Sequence, residues 1–165
     1  EMCIRDRNIT VKPSLIESRD IIVPGDISSA AFWMVAGSIH SNSEIMIRNV
    51  GINETRAGII SVLNRMGASL EFSNKKDYSG EPACDILVKS SNLKSTNISG
   101  KEIPLLIDEI PIIALAAVFA EGETLITDAE ELRFKESDRI SLTVNWMKAA
   151  GAKVEEFQDL SLIHI

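Results

Sequence analysis

The chain has 165 residues, 45% of them hydrophobic, enough to bury a core in one domain or to form part of a larger protein. Seventeen basic and 24 acidic residues leave a formal charge of −7, which argues against a nucleic-acid surface and makes the position of each Arg and Lys more telling than their total. Cys3 and Cys84 show neither metal nor disulfide spacing, His40 and His164 stand apart, no run reaches the about 20 apolar residues of a membrane span, and the charged start does not read as a secretory signal.

In chain order, Asp20 to Val23 is a candidate strand ended by Pro24-Gly25. Asp26 or Ser28 then caps a helix through Phe32, Trp33, Met34 and Val35. Glu44 to Asn49 alternates apolar and polar residues, as a half-buried strand does. Asn53 or Thr55 opens a second helix with Ile59, Leu63 and Met66 on one face, and Gly67 closes it. Strands at Ser69 to Ser73 and Asp85 to Lys89 follow, joined by a long polar connection over Asn74 to Pro82. These segments form a β-α-β-α-β-β unit.

The order then repeats. Ile103 to Ile107 is a candidate strand, and Asp108 caps an apolar helix through Ile112, Leu115 and Val118, with Pro111 in its first turn, where no N–H is needed. Glu123 to Asp128 is the next strand. Ser137 caps a helix with Ile140, Val144 and Met147 on its apolar face, Gly151 closes it, and Lys153 to Phe157 is a strand. The last strand of this second unit is expected to lie outside the chain. Asp26 and Asp108 are 82 positions apart, Asn53 and Ser137 84, Gly67 and Gly151 84, and Glu44 and Glu123 79, which favours an internal repeat. The first helix of each unit is apolar nearly all round and should be buried on every side, whereas the second is amphipathic.

The stretch Glu131-Leu132-Arg133-Phe134-Lys135-Glu136-Ser137-Asp138-Arg139-Ile140 carries most of the chemistry. Six of its ten residues are charged. Charge runs are usually solvated faces, and Asp138 in a first turn fits ordinary helix electrostatics. Lys135 and Arg139 do not fit, because cations are unfavourable at a helix N-terminus. There they build a positive pocket beside free N–H groups, suited to phosphate or carboxylate. Breaking a local rule in this way is typical of functional sites. Asp108 and Asp26 read locally as plain caps, and Glu109 as a first-turn acid.

This stretch, with Gly25-Asp26-Ile27-Ser28-Ser29-Ala30-Ala31-Phe32 and Leu106-Ile107-Asp108-Glu109-Ile110-Pro111, resembles the 5-enolpyruvylshikimate-3-phosphate synthase family from about Val11 to Asp159. The resemblance implies an α/β fold of repeated β-α-β-α-β-β units of the enolpyruvyl transferase type, with about two of the three units of the C-terminal domain present. Repeat one would take in about residues 20–92 and repeat two about 98–159. The ends, 1–10 and 160–165, are not expected to match the family.

The implied activity is transfer of the enolpyruvyl group of phosphoenolpyruvate to the 5-hydroxyl of shikimate 3-phosphate, with release of phosphate and no metal or organic cofactor. The resemblance places Asp108 as proton acceptor and substrate contact, and Lys135 on shikimate 3-phosphate near the reacting hydroxyl. It places Glu136 as the carboxylate serving the methylene carbon and Arg139 on phosphoenolpyruvate. Glu131 is carried over only as a neighbour of the substrate, and Arg133 as a structural support. The expected partners are the two small molecules and the rest of the synthase, with no nucleic acid and no membrane. The complete protein is expected to be a monomer in the cytosol, or in an organelle if a transit segment precedes it, and this part alone is expected to be inactive. The rival readings are a related transferase acting on UDP-N-acetylglucosamine, a cyclase of RNA 3′-phosphate ends, and a non-catalytic scaffold.

Overall fold

The structure, a computed structural model, describes residues 12, 13, 15, 17, 18, 20–156 and 161–164, the last four as backbone only. Helix α1 spans Ile27–Ile39, strand β1 Glu44–Gly51, helix α2 Gly58–Arg65, and strands β2 and β3 Ser69–Asp77 and Pro82–Lys89. A short strand β4, Asn97–Ile98, opens the second half. Helix α3 (Ile110–Val118), strand β5 (Glu123–Ile126), helix α4 (Arg139–Ala149) and strands β6 (Lys153–Glu156) and β7 (Ser161–His164) follow.

The two halves repeat one topology. In the first sheet the order is β1-β3-β2, antiparallel throughout, with Ile45 opposite Val88 and Ile47 opposite Ile86. In the second, β5, β7 and β6 take the same places, with Thr124 opposite Ile163 and Val154 opposite Ile163. Strand β4 adds a parallel edge to β5, pairing Ile98 with Ile126. Its counterpart in the first half has shrunk to one parallel bridge, Gly25 to Val50.

Helices α1 and α3 pack on each other, and the core is continuous across both halves. Met34, Ile59, Leu63, Ile86, Ile113 and Ile126 are at most 1% exposed. Full burial of each such side chain stabilises the fold by about 1.5–3 kcal/mol, less the entropy of ordering it.

Several expectations are corrected. Residues 20–23 form no strand, and Ile21, Ile22 and Val23 are exposed. Ile103 to Ile107 is not a strand either. Gly100–Leu105 and Ile107–Glu109 are 3₁₀ turns, because Pro104 has no N–H for a ladder and the Ser99 N–H is already taken by Glu102 Oε1 at 3.1 Å. Asn53 and Thr55 do not open α2. Asn53 instead organises a turn, accepting the Thr55 N–H on its side chain at 3.1 Å and the Arg56 N–H on its carbonyl at 2.9 Å, so the helix begins at Gly58.

Asp108 is not a cap: it lies in the turn before α3, whose first residue is Ile110. The cap of α4 is Asp138, accepting the Ser141 N–H at 3.0 Å, rather than Ser137. The connection over Asn74 to Pro82 is short, since β2 runs to Asp77 and β3 starts at Pro82. The last strand of the second unit is present as β7. Helix α1 is not buried on every side, for Phe32 and Trp33 are 61% and 60% exposed.

Other expectations hold. Asp26 caps α1 by accepting the Ser29 N–H at 2.7 Å. The apolar faces Ile59/Leu63/Met66 and Ile140/Val144/Met147 are buried, and Gly67 and Gly151 end their helices at φ +85 and +89. Pro111 sits in the first turn of α3. Phe157 and the first residues of the chain lie outside the described residues.

Candidate active site

Three helix starts converge on one surface. The turn before α3 carries Asp108, the turn before α2 carries Arg56, and the segment before α4 carries Lys135, Glu136 and, as first helical residue, Arg139. Arg139 is the centre of the group. Its Nη1 donates to Asp108 Oδ1 at 3.0 Å, and its Nη2 and Nε donate to Glu136 Oε1 at 2.8 and 3.2 Å. Arg56 approaches the other oxygen of Asp108, with Nη2 3.6 Å from Oδ2. Lys135 and Glu131 form a further ion pair at 3.6 Å, one helical turn apart.

A guanidinium at a helix start meets the positive end of the helix dipole, and here two carboxylates offset that cost. The pairing is strong in both directions. The hydrogen bonds from Arg139 hold the Glu136 carboxyl below the ordinary glutamate range, and the bond to Glu136 pushes the Arg139 guanidinium up. Glu136 remains 72% exposed and Asp108 44%, so both carboxylates are open to an incoming molecule.

Behind this charged front lies a clamp. Arg133 Nη1 donates to Asp138 Oδ2 and to Glu156 Oε1, each at 2.9 Å, and to Ser141 Oγ at 3.2 Å. Ser141 Oγ is also hydrogen-bonded to Glu156 Oε1 at 2.6 Å. One arginine therefore ties the start of α4 to strand β6, and with it the segment that carries Lys135 and Glu136.

The structure brings Asp108 and Glu136 each into contact with Arg139, and pairs Lys135 with Glu131 in the segment that leads into Glu136. Sequence reasoning missed Arg56, Ser28 and the second role of Glu109. The Ser28 hydroxyl donates to Glu109 Oε1, and Arg56 Nη2 donates to Ser28 Oγ at 3.1 Å. Glu109 is 3% exposed, and burial pushes its carboxyl up. One signal was available for Arg56: it stands 83 positions before Arg139, the spacing that also separates Ile27 from Ile110, the first residues of α1 and α3. Among the described residues no cluster of three or more His, Cys, Asp or Glu is placed to hold a metal ion, and no helix is long and apolar enough to cross a membrane.

Residues 3–165 match the family model for EPSP synthase (3-phosphoshikimate 1-carboxyvinyltransferase). The chain is 56% identical over 147 residues to 3-phosphoshikimate 1-carboxyvinyltransferase of Gloeothece citriformis, covering 89% of this chain and 33% of that one. It is 53% identical over 152 residues to the protein of the same name from Syntrophotalea carbinolica, covering 92% and 35%. The chain thus spans about a third of the length of the curated relatives it matches. EPSP synthase from Acinetobacter baumannii superposes with a TM-score of 0.84 at 43% identity, over 87% of this chain and 33% of that one. The enolpyruvyl transferase NikO from Streptomyces tendae superposes with a TM-score of 0.58 at 17% identity, over 84% and 29%, a likeness of fold alone.

Proposed function

The chain belongs to the EPSP synthase family, and from that premise we propose that the protein carrying it transfers the enolpyruvyl group of phosphoenolpyruvate to the 5-hydroxyl of shikimate 3-phosphate, releasing phosphate. The observation that supports this reading best is a single guanidinium, Arg139, shared by two carboxylates that come from different parts of the chain. The reaction needs one group to take a proton from a hydroxyl and another to give one to carbon.

Asp108 accepts the proton of the 5-hydroxyl as its oxygen attacks the central carbon of phosphoenolpyruvate. Glu136 delivers a proton to the methylene carbon, and a tetrahedral intermediate results. Removal of a proton from the new methyl group restores a double bond and expels phosphate. Arg139 and Lys135 hold the anions of the two substrates, contributing proximity and charge stabilisation.

The resting ion pairs bear on this sequence of steps. A carboxyl held in its ionised form by Arg139 is a poor proton donor. A substrate anion that takes the Arg139 N–H groups weakens that constraint, so filling the site makes a proton easier for Glu136 to carry. In this reading Arg139 binds one substrate and releases the acid in the same movement.

Residues 11–159 then belong to the C-terminal domain of the synthase, and the active protein is a cytosolic monomer whose partners are its two substrates. The test is phosphate release by the full-length protein given phosphoenolpyruvate with and without shikimate 3-phosphate. Release that depends on shikimate 3-phosphate, and falls by two orders of magnitude or more in Asp108→Ala and Glu136→Gln, is the expected result. A folded full-length protein without such release would overturn the reading.

A further inference from the structure

The buried group nearest the site has no part in the steps above. Glu109 follows Asp108 directly and is 3% exposed, yet its neighbour is 44% exposed. A carboxyl so placed needs a partner, and it has one from the other repeat: the hydroxyl of Ser28, in the first turn of α1. Ser28 Oγ in turn accepts from Arg56 Nη2 at 3.1 Å, and the same nitrogen lies 3.6 Å from Asp108 Oδ2.

We propose that Glu109 is a positioning residue that acts through Ser28 and Arg56 to fix the orientation of Asp108. The direction of the hydrogen bonds defines this role, and its catalytic part rests on the function proposed above. An arginine has donors only, and a carboxylate only acceptors, whereas a serine hydroxyl can do either. With Glu109 accepting, the Ser28 proton points inward and its lone pairs face Arg56. The guanidinium is then held from behind and presents its charge to Asp108 Oδ2. Arg139 hydrogen-bonds Oδ1 from the other side, so the carboxylate faces two arginines from two repeats, one bonded and one ion-paired.

If Glu109 could donate, it would compete with Arg56 for the Ser28 oxygen and the chain would break at its middle. Arg56 needs such anchoring because its side chain is 56% exposed, and its reach to Asp108 is too long for a hydrogen bond to hold it there. Ser28 is available because Asp26, not Ser28, caps α1. Its hydroxyl is also well placed for a test, since Thr keeps the donor and Ala removes it.

The experiment uses the full-length protein and the variants Ser28→Ala, Ser28→Thr and Glu109→Gln. In Glu109→Gln the neutral amide accepts the Ser28 proton less strongly than a carboxylate and can also donate to the Ser28 oxygen, at nearly unchanged side-chain shape. Two readouts are taken on each variant. Steady-state phosphate release should show kcat reduced about 10- to 100-fold in Ser28→Ala and Glu109→Gln, with KM for both substrates changed far less, and near-normal kcat in Ser28→Thr. Nitrogen-15 relaxation of the Arg56 Nε–H group should show a looser guanidinium in the first two variants and an unchanged one in the third.

The relaxation readout does not depend on which reaction the protein performs. An active wild type whose Ser28→Ala and Glu109→Gln variants keep its kcat and its Arg56 order would overturn the proposal. Equal losses in Ser28→Thr and Ser28→Ala would overturn it as well. A wild type that releases no phosphate would sink the functional reading instead, and the relaxation data would still decide whether the chain of contacts holds Arg56.

Discussion

At the scale of single residues, Arg139 determines the state of the site. Its hydrogen bonds hold the Glu136 carboxyl low, and its planar fork reaches two carboxylates from separate nitrogens in a fixed geometry that a lysine ammonium does not reproduce. In Arg139→Ala the titration midpoint of Glu136 should rise toward the ordinary glutamate range, read from the carbon-13 shift of its carboxyl. A midpoint that does not move would mean that Lys135 or the backbone holds Glu136 down. Arg139→Lys should restore the charge but not the shared geometry, so its Glu136 midpoint should fall between those of wild type and Arg139→Ala. The charged run stood out in the sequence as a candidate site because it broke helix electrostatics. Its internal pairing did not, since nothing in local spacing says that Arg139 turns toward Asp108, 31 positions earlier.

At the scale of elements, the start of α4 depends on the Arg133 clamp. Burial of the clamp is partial, with the Arg133 side chain 20% exposed and that of Asp138 38%. Arg133→Ala leaves Asp138, Ser141 and Glu156 without their shared donor, and should destabilise the protein by about 1–3 kcal/mol in chemical unfolding. The pH dependence follows from the same contacts. The Ser141 N–H and Arg133 hold Asp138 below its ordinary range, and Ser141 and Arg133 do the same for Glu156. Their stabilisation is present above the pKa values of the unfolded chain and is lost as pH falls through the folded ones, so the acid limb of stability should flatten in Arg133→Ala. An acid limb identical to that of wild type would refute the assignment.

Helix α2 makes a second case. A Cβ built on Gly58 would lie 2.9 Å from the Leu105 carbonyl oxygen and 3.0 Å from its carbon, so the helix starts where backbone meets backbone. Gly58→Ala should destabilise by about 1–3 kcal/mol despite its better helix propensity, since it pushes apart the turns that carry Arg56 and Asp108. A melting temperature raised by the substitution would show that α2 yields.

These elements also mark how far the sequence could be read. Helices with strong apolar faces, such as α4 with Ile140, Val144 and Met147, were legible because burial sets both their period and their ends. The turns before the helices were not. Asn53, Asp108 and Ser137 all look like caps, but contacts that local patterning does not show decide each place: the Asn53 turn with Leu105 against Gly58, Arg56 and Arg139 on Asp108, and Arg133 with the Ser141 N–H on Asp138. Strand β7 was missed because its pairing with β5 and β6 is visible only in the folded sheet.

For the whole molecule, the duplicated topology explains why the site forms where it does. An arginine stands at the start of the second helix of each repeat, Arg56 just before α2 and Arg139 first in α4, and the two meet on Asp108. Although the chain carries a net charge of −7, Arg56, Arg139 and Lys135 gather near this surface, each paired with a carboxylate. Gathering them is not enough for the proposed chemistry. Asp108 and Glu136 are 44% and 72% exposed, so bulk water reaches both. Proton transfer to carbon and charge stabilisation by arginine both lose strength in water, where the effective dielectric constant is high. The chain matches about a third of the length of its curated relatives, and the remainder is enough for a second body to close over the surface. The 165-residue chain by itself should therefore release no phosphate above background from phosphoenolpyruvate and shikimate 3-phosphate, while the full-length protein does so in the same assay. Turnover by the isolated chain at even a hundredth of the full-length rate would show that the two arginines and two carboxylates work without being covered, and that exclusion of water contributes little to this reaction.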